Sequence, residues 1–407
     1  MLHTNHYKIK EISEVINGST PSTKEDDNYD GDIIWLTPKD LSDQRTKYIY
    51  RGERNITKKG YDSCGTKMIP PDNIIMSSRA PIGLLSINKN ECCTNQGFKS
   101  LILNKNLADT NYMYYFIKHH MPQIEALGSG TTFKEVSKDS MENYEIDIPD
   151  LLTQKKIADV LSCIDDKIAL NNKTNTELEN MAKTVYDYWF TQFDFPDKNG
   201  NPYKTSGGQM VYNEALKREI PVGWEVGKLS DIAYFLTETT GVENLQNYIT
   251  TDNILPNKQG VTKAEFIPTY GNVLKYEEYD ILIANIRPYF KKIWLSNTTG
   301  MCSNDVLCIK AKKSIYNFFL YRFLWRDDFF DYVMKGAKGS KMPRGDKKHI
   351  MSMPIPIPNN NTLLESFNAF YGPLQNQIWE NQKENDELTN IRNYLLPLLM
   401  NGQIEVK

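Results

Sequence analysis

The 407-residue sequence lacks long apolar runs, a disulfide framework and a strong excess of charge of one sign. No apolar run approaches the roughly 20 residues that a membrane-spanning helix needs, and the N-terminus lacks the apolar core of a signal peptide. The six cysteines show no Cys-x-x-Cys spacing, so we expect free thiols in a reducing compartment. The sequence therefore predicts a cytoplasmic protein with no membrane partner.

Motifs for catalysis or metal binding are also missing. The five histidines show no metal-ligand spacing with cysteines or carboxylates. The segment Gly336-Ala-Lys-Gly-Ser-Lys341 contains glycines and lysines but not the spacing of a phosphate-binding P-loop. Nothing in the sequence selects a carboxylate pair for a nuclease site, although the composition does not exclude one. We therefore predict no catalytic residue, no metal site and no cofactor in this chain.

Charge is distributed unevenly along the chain. The net charge of −3 argues against a strongly basic protein that binds nucleic acid alone. Residues 219–358, however, carry 18 Lys and Arg against 15 Asp and Glu, and six of these cations lie between positions 335 and 348, where the only anion is Asp346. A basic loop that contains glycine suits contact with phosphate, and a solvated surface is the alternative interpretation.

Two long helices are predicted from apolar residues that recur in alternating steps of four and three, the spacing of a coiled-coil seam. The first seam consists of Ile157, Leu161, Ile164, Ile168, Asn171, Asn175, Leu178, Ala182, Val185 and Trp189. The second, 210 positions later, consists of Phe367, Tyr371, Leu374, Ile378, Asn381, Asn385, Leu388, Arg392, Leu395 and Leu399. The matched central asparagines predict that these helices pair with each other, because a polar residue at a core position fixes register. Two unrelated surface helices are the alternative, and Arg392 predicts a frayed end or a partner contact.

The segments that precede the two helices also repeat. Short strands at residues 73–78 and 145–149 match strands at residues 280–285 and 355–358. Cys93-Thr-Asn95 matches Cys302-Ser-Asn304, and an aromatic helical segment at 111–125 has a counterpart that starts at Ile315. The chain is therefore predicted to hold two copies of one unit, each a mixed domain followed by a long helix.

These observations predict an α+β fold with two pseudo-repeated recognition domains separated by a two-helix antiparallel coiled coil. The predicted parts are a first domain (1–149), a central long helix (150–194), a linker (195–218), a second domain (219–358) and a C-terminal long helix (359–407). Antiparallel packing is favoured because domain two leaves the end of one helix and returns to the start of the other. A parallel pair would require that domain to bridge roughly 50 Å. Thr362 and Glu365 predict a capping box for the second helix.

Two similar domains at the ends of such a rod can read two separated stretches of one DNA duplex. Base reading requires polar or basic side chains on loops that reach the major groove. The candidates in the first domain are Lys39, Arg79, Asn95, Gln96, Ser129, Thr131 and Thr132. Those in the second are Asn285, Arg287, Asn304, Lys338, Lys341 and Arg344. Because the two sets differ, the predicted target consists of two unlike half-sites with an unread spacer.

Besides the duplication, the chain contains four characteristic stretches in order: Gly18-Ser-Thr-Pro21, Ile148-Pro-Asp-Leu-Leu-Thr-Gln-Lys-Lys-Ile-Ala-Asp-Val-Leu-Ser-Cys-Ile-Asp-Asp-Lys-Ile168, Ile220-Pro-Val-Gly-Trp-Glu-Val226 and Leu398-Leu-Met-Asn-Gly-Gln403. In these stretches, in their order and in the duplication, the chain resembles the DNA specificity subunits of type I restriction–modification systems. One departure is that the Ile-Pro-x-Gly-Trp signature occurs only before the second domain.

The resemblance implies a non-catalytic subunit that reads a bipartite double-stranded DNA sequence. It implies two methyltransferase subunits as partners, which bring S-adenosylmethionine, and in restriction complexes an ATP-dependent translocase–nuclease with ATP and magnesium. Two alternatives stay open at this point. One is a stand-alone modification enzyme or nuclease with two recognition domains, and the other is a coiled-coil scaffold that binds only protein.

Overall fold

The structure is a computed structural model that describes residues 3–43, 46–130, 134–242 and 247–406. Its contacts divide the chain into two units. Unit 1 comprises Met1–Lys173 and Gln382–Lys407, and unit 2 comprises Thr174–Asn381. Within the described residues, no helix is long and apolar enough to cross a membrane. All six cysteines are free.

Unit 1 combines short strands with helices. Its strands are β1 (Thr4–Lys8), β2 (Ser13–Asn17), β3 (Tyr29–Leu36), β4 (Tyr48–Ile49), β5 (Asn55–Ile56), β6 (Ile74–Ser78), β7 (Ile82–Asn88), β8 (Cys93–Thr94), β9 (Lys99–Leu103) and β10 (Glu145–Pro149). Its helices are α1 (Ile9–Ile12), α2 (Pro38–Asp43), α3 (Lys58–Asp62), α4 (Thr110–His119), α5 (Met121–Ala126), α6 (Lys138–Glu142) and the first part of α7 (Leu151–Tyr186). The sheets have the orders β2-β9-β6-β7-β4, β5-β3-β8 and β1-β10.

Unit 2 repeats this plan. Its strands are β11 (Met210–Asn213), β12 (Arg218–Pro221), β13 (Glu225–Lys228), β14 (Ala233–Phe235), β15 (Thr239–Gly241), β16 (Tyr248–Ile249), β17 (Asn272–Tyr276), β18 (Ile281–Ala284), β19 (Ile293–Leu295), β20 (Gly300–Cys302), β21 (Val306–Ala311) and β22 (Pro354–Ile357). Its helices are the last part of α7, α8 (Leu229–Ile232), α9 (Asn317–Trp325), α10 (Asp327–Lys335), α11 (Lys347–Met351) and the first half of α12 (Asn361–Met400).

The sheets confirm the internal repeat. The order β14-β21-β18-β19 in unit 2 reproduces β2-β9-β6-β7 in unit 1, and β13-β22 reproduces β1-β10. The parallel pair β16 and β20 likewise corresponds to β3 and β8. The predicted match of Cys93-Thr-Asn95 with Cys302-Ser-Asn304 is wrong by one residue. At the equivalent last positions of β3 and β16, Leu36 pairs with Thr94, whereas Ile249 pairs with Cys302. The structural counterpart of Asn95 is therefore Ser303, and that of Gln96 is Asn304.

The segments of α7 and α12 pair antiparallel within each unit, which confirms the predicted direction. In unit 1, Ile157 and Leu161 near the start of α7 share a core with Leu399 near the end of α12. In unit 2, Tyr186 at the end of α7 packs against Phe367 near the start of α12, with ring centroids 5.9 Å apart. Each helix pair therefore also closes the core of the domain beside it.

The central asparagines form one polar layer in each unit. In unit 1, Asn171 Nδ2 donates to Asn385 Oδ1 at 3.0 Å and to Glu384 Oε2 at 2.7 Å. In unit 2, Asn381 Nδ2 donates to Asn175 Oδ1 at 2.7 Å. Buried amides that are hydrogen-bonded across a helix pair avoid most of the cost of desolvation. Their role in fixing the register stays a prediction.

Two details of the helices differ from the predictions. Asn360 rather than Thr362 caps α12, because its Oδ1 accepts the backbone N–H of Thr362 at 2.9 Å. The helix is not frayed at Arg392, whose Nη1 lies 2.6 Å from Asp165 Oδ1 on α7. The seam pattern missed this ion pair because Asp165 lies one position beside the seam. A contact of Arg392 with a partner subunit stays a prediction.

Candidate nucleic-acid interface

Three segments of unit 2 meet at one edge of its sheets, and all six of its predicted DNA-contacting residues lie on them. They are the turn after β18, the turn after β20 and the loop between α10 and α11. Asn285 N donates to Asp305 O at 3.0 Å, and Arg287 N donates to Pro343 O at 2.8 Å. The backbone groups of Lys338 and Arg344 exchange two hydrogen bonds of 2.9 Å, which closes the loop into a hairpin. We call these three segments the unit 2 loop cluster.

The cations of this cluster lie at the surface. Lys338 Nζ lies 2.9 Å from Asp346 Oδ2, and its side chain is 82% exposed. Arg344 Nη2 lies 3.2 Å from Asp305 Oδ1. The hydrogen bond from Lys338 is the main cause that lowers the pKa of Asp346 to about 2. Exposed ion pairs of this kind are weak, so these cations can exchange a carboxylate for a phosphate at little cost.

The remaining predicted residues of unit 2 differ in exposure. Lys341 is exposed at the tip of the hairpin, and Arg287 is exposed with a left-handed backbone (φ 53°). Asn304 is exposed, and its Nδ2 donates to Asn272 O at 3.1 Å. The Asn285 side chain is half-buried, and its Oδ1 has no hydrogen-bond partner among the described residues. This oxygen is shielded from solvent, so a contact with a ligand would require the side chain to turn outward.

The corresponding cluster of unit 1 is organised around one carboxylate. Glu135 Oε2 lies 3.4 Å from Arg79 Nη1, and Glu135 Oε1 lies 3.0 Å from Lys99 Nζ. The backbone of Ser129 exchanges hydrogen bonds of 3.1 and 3.0 Å with that of Glu135. Lys99 is only 7% exposed, so one carboxylate here faces one buried and one half-buried cation. The sequence did not single out Glu135 or Lys99, because only the fold brings them together.

The turn after β8 joins this cluster. Ser78 N donates to Gly97 O at 2.7 Å, so the turn adjoins the end of β6. Asn95 Oδ1 accepts the N–H of Gly97 at 2.9 Å, and Gln96 Oε1 accepts a hydrogen bond from the Thr20 hydroxyl. Asn95 is therefore a turn former in this structure, while the exposed Gln96 amide has no partner for its N–H₂ group among the described residues.

The remaining predicted residues of unit 1 are Lys39, Thr131 and Thr132. Lys39 lies on α2, where its Nζ is 2.6 Å from Glu53 Oε2. Thr131 and Thr132 lie outside the described residues. Among the described residues, no group of three His, Cys, Asp or Glu side chains could hold a metal ion.

Comparison with known proteins identifies the family. Residues 3–180 match the family described as type I restriction modification DNA specificity domain. The specificity subunit of the type I restriction enzyme MjaIX from Methanocaldococcus jannaschii is 33% identical over 98% of this chain and 93% of its own length. The chain belongs to the family of type I restriction-enzyme specificity subunits. The MjaVIII specificity subunit of the same organism is 24% identical over 98% of this chain and 92% of its own length.

The fold of the specificity subunits is also found in a solved structure. The type I restriction–modification S subunit from M. genitalium covers 98% of this chain and 96% of its own length, with a TM-score of 0.57 at 15% identity. The predicted fold class, with two repeated target-recognition domains and an antiparallel coiled coil, is confirmed. Membership in the family also confirms a non-catalytic subunit for DNA target recognition, and it disfavours the stand-alone enzyme and the protein-only scaffold.

Proposed function

We propose that this specificity subunit reads an asymmetric, bipartite DNA sequence, with one half-site for the loop cluster of each unit. The observation that carries the proposal is the repeat of one sheet order in both units with different side chains on the equivalent loops. Two domains with the same sheet order hold their loops in the same positions relative to DNA. Different side chains on those loops then select different bases. The two half-sites are therefore expected to be unlike.

The unit 2 loop cluster has the chemistry for both positioning and reading. Lys338, Lys341 and Arg344 suit phosphate oxygens, and their contacts give an affinity that falls as salt rises. Arg287 suits a guanine edge, and the amides of Asn285 and Asn304 suit adenine. In unit 1, Lys39 and Arg79 suit phosphate or guanine, and Asn95, Gln96, Ser129, Thr131 and Thr132 are the proposed polar readers.

We further propose that two methyltransferase subunits, which carry S-adenosylmethionine, assemble on this chain in the cytoplasm. An ATP-dependent translocase–nuclease subunit with magnesium would complete a restriction complex. The proposed recognition domains span residues 1–149 and 219–358. Residues 150–194 and 359–407 supply the helix pair. The segment proposed as a linker, 195–218, contains β11 and the start of β12, and Phe195 stacks on Tyr203 within it at 4.8 Å.

Co-expression with a methyltransferase subunit from the same host, followed by single-molecule sequencing of the host DNA, tests this function. A methyladenine motif with two unlike halves and a constant gap is the expected result. Exchange of residues 219–358 for the equivalent domain of a relative should then change one half of the motif only. A well-folded complex that produces no new methylation would contradict the proposal.

A further inference from the structure

An exposed apolar segment extends from the unit 2 loop cluster. Residues 263–271 lead into β17 and contain Phe266, Ile267 and Tyr270. Phe266 is 74% exposed, Tyr270 is 86% exposed and Ile267 is 45% exposed. Tyr270 and Phe266 are the most exposed large hydrophobic residues in the described part of the chain. We call residues 263–271 the aromatic tip. An apolar patch of this kind on a protein surface usually marks a contact with a partner.

The strand register places the aromatic tip beside the proposed reading turn. Leu274 of β17 pairs with Cys302 of β20, so the antiparallel register brings Asn272 opposite Asn304. The hydrogen bond from Asn304 Nδ2 to Asn272 O, 3.1 Å long, fixes that position. Tyr270 precedes Asn272 by two residues, so the tip begins directly beside the turn that carries Asn304.

The base of the tip is fixed, while its end is open. Gly241 of β15 pairs with Asn272, so β17 is held on both sides where the tip begins. Gly271 has a left-handed backbone (φ 103°), and a Cβ atom built there would meet no atom within 4 Å. A fixed base with an open end is the geometry of a contact element rather than that of an incompletely packed core.

The charge around the tip favours DNA as the molecule that covers it. The hairpin of the same loop cluster carries Lys338, Lys341 and Arg344, and the turn after β18 adds Arg287. A protein partner with an apolar face gains little from such a cationic border, whereas a duplex carries a phosphate along each strand about every 3.4 Å. The tip is also continuous with the turn that we propose to read bases.

We propose that the aromatic tip packs Phe266 and Tyr270 against the bases of the half-site that unit 2 reads. This inference rests on the proposed function. A duplex offers apolar side chains two surfaces: the methyl groups of thymine in the major groove and the face of a base at a partly unstacked step. Thymine alone offers a methyl group in the groove, and some base steps unstack more easily than others, so the tip contributes to specificity and not only to affinity.

Duplex binding by the complex with its methyltransferase subunits tests the tip, once the methylation motif has identified the half-sites. Phe266→Ala and Tyr270→Ala should each weaken binding about tenfold, the size expected for loss of one aromatic–base contact. The dependence on salt should stay unchanged, because an apolar contact releases no counterions. Lys341→Ala should instead reduce the salt slope by about 0.9 if that lysine contacts one phosphate.

Two modified duplexes distinguish the surfaces. If the tip contacts a thymine methyl group, uracil in place of that thymine weakens binding of the wild-type complex but not of the Phe266→Ala or Tyr270→Ala complex. If the tip contacts an unstacked base, 2-aminopurine at that step becomes brighter with the wild-type complex and not with the variants.

Tyr212→Ala is the matched control, because Tyr212 is an aromatic residue of unit 2 that is 56% exposed but lies on the β11–β12 hairpin. Its affinity for DNA should equal that of the wild type. Equal binding by the tip variants and the wild type would overturn the inference, as would loss of methyltransferase assembly in the tip variants. A wild-type complex that binds no specific sequence would instead contradict the proposed function itself.

Discussion

The two units fasten the helix pair to their domains with different chemistry. In unit 2, Arg322 of α9 is buried, and its Nη1 donates to Glu179 Oε2 of α7 at 2.6 Å. The same guanidinium lies 4.2 Å from the ring centroid of Trp325. Arginine keeps its charge at every accessible pH, so this attachment does not titrate through its cation.

Unit 1 uses a network that includes a lysine. Lys47 Nζ donates to Ser162 Oγ of α7 at 2.7 Å. Asp165, also on α7, accepts from the Tyr115 hydroxyl at 2.6 Å and lies 2.6 Å from Arg392 of α12. Several moderate contacts therefore replace the one buried arginine of unit 2. The two repeated domains are therefore attached to the helix pair by different polar contacts.

The loop clusters differ in the same way. In unit 1, Glu135 faces both Arg79 and the buried Lys99, whereas in unit 2 Lys338 and Arg344 are exposed, each beside its own carboxylate. The segment before β17 that forms the aromatic tip in unit 2 is occupied in unit 1 by β5 and α3. Repeated strands with unequal loops are what two unlike half-sites would require.

Among the changes that test the two attachments, Arg322→Leu should have the largest effect on stability. It removes a buried cation, leaves Glu179 without its partner and should lower the free energy of unfolding of unit 2 by about 3 kcal/mol. Hydrogen exchange measured peptide by peptide resolves this, with faster exchange in α9 and little change in β6 or β9. The double variant with Glu179→Leu should recover part of the loss. A single variant as stable as the wild type would show that the arginine does not hold the helix.

Asp165→Asn should weaken unit 1 by less, about 2 kcal/mol, because the network keeps the Lys47–Ser162 contact. The neutral amide still accepts from Tyr115 but no longer balances the charge of Arg392. Peptides from α4 and the end of α12 should exchange faster, while α9 stays protected. If α9 exchanged equally fast, the two attachments would not be independent.

The main elements of this fold could be predicted because they depend on periodicity. The spacing from Ile157 to Trp189 and its copy 210 residues later predicted both long helices, and the ends of the chain segment between them predicted their antiparallel direction. Strands such as β6, β10 and β22 were predicted within one residue of their observed ends. Periodicity works well here because each element buries one face against a continuous core.

Contacts between distant side chains could not be predicted in this way. Glu135 lies 56 residues from Arg79, and Asp165 lies 227 residues from Arg392, so no local pattern connects them. The match of Cys93-Thr-Asn95 with Cys302-Ser-Asn304 was wrong by one residue because short identities outweighed the strand register. The aromatic tip was not singled out, since exposure follows only from the folded chain.

A change of pH should alter the two attachments differently. The free energy of unfolding of unit 1 should change by roughly 1.5 kcal/mol, less than in the substitutions above. Burial lowers the pKa of Lys47 to about 8, although Asp165, Asp166 and Asp109 oppose the shift. Between that value and the usual 10.5, the unfolded chain binds more protons than the folded one, so the stability of unit 1 should rise with pH. Below pH 8 the folded protein holds Lys47 in its charged form, so the full free-energy cost of burying that charge lowers the stability of unit 1.

The difference between wild type and Lys47→Met from pH 8 to 9.5 isolates this contribution, because nearby tyrosines titrate in both proteins. When denaturant unfolding is followed by hydrogen exchange in α4, the free energy of unfolding should rise with pH in the wild type only. The attachment in unit 2 should give no such slope. A wild-type profile parallel to that of the variant would mean that Lys47 is not desolvated.

The polar layers of the helix pair should show the smallest difference. Asn171→Leu removes the donor to Asn385 and Glu384, and Asn381→Leu removes the donor to Asn175. Each substitution leaves polar groups without a partner and should cost about 1 kcal/mol, measured by denaturant unfolding.

The paired variant Asn171→Leu with Asn385→Leu should regain that stability while it loses register, because leucines pack in either alignment. Light scattering should then detect chains paired with one another. A paired variant that stays monomeric would mean that the domains, and not the asparagines, set the register of the helices.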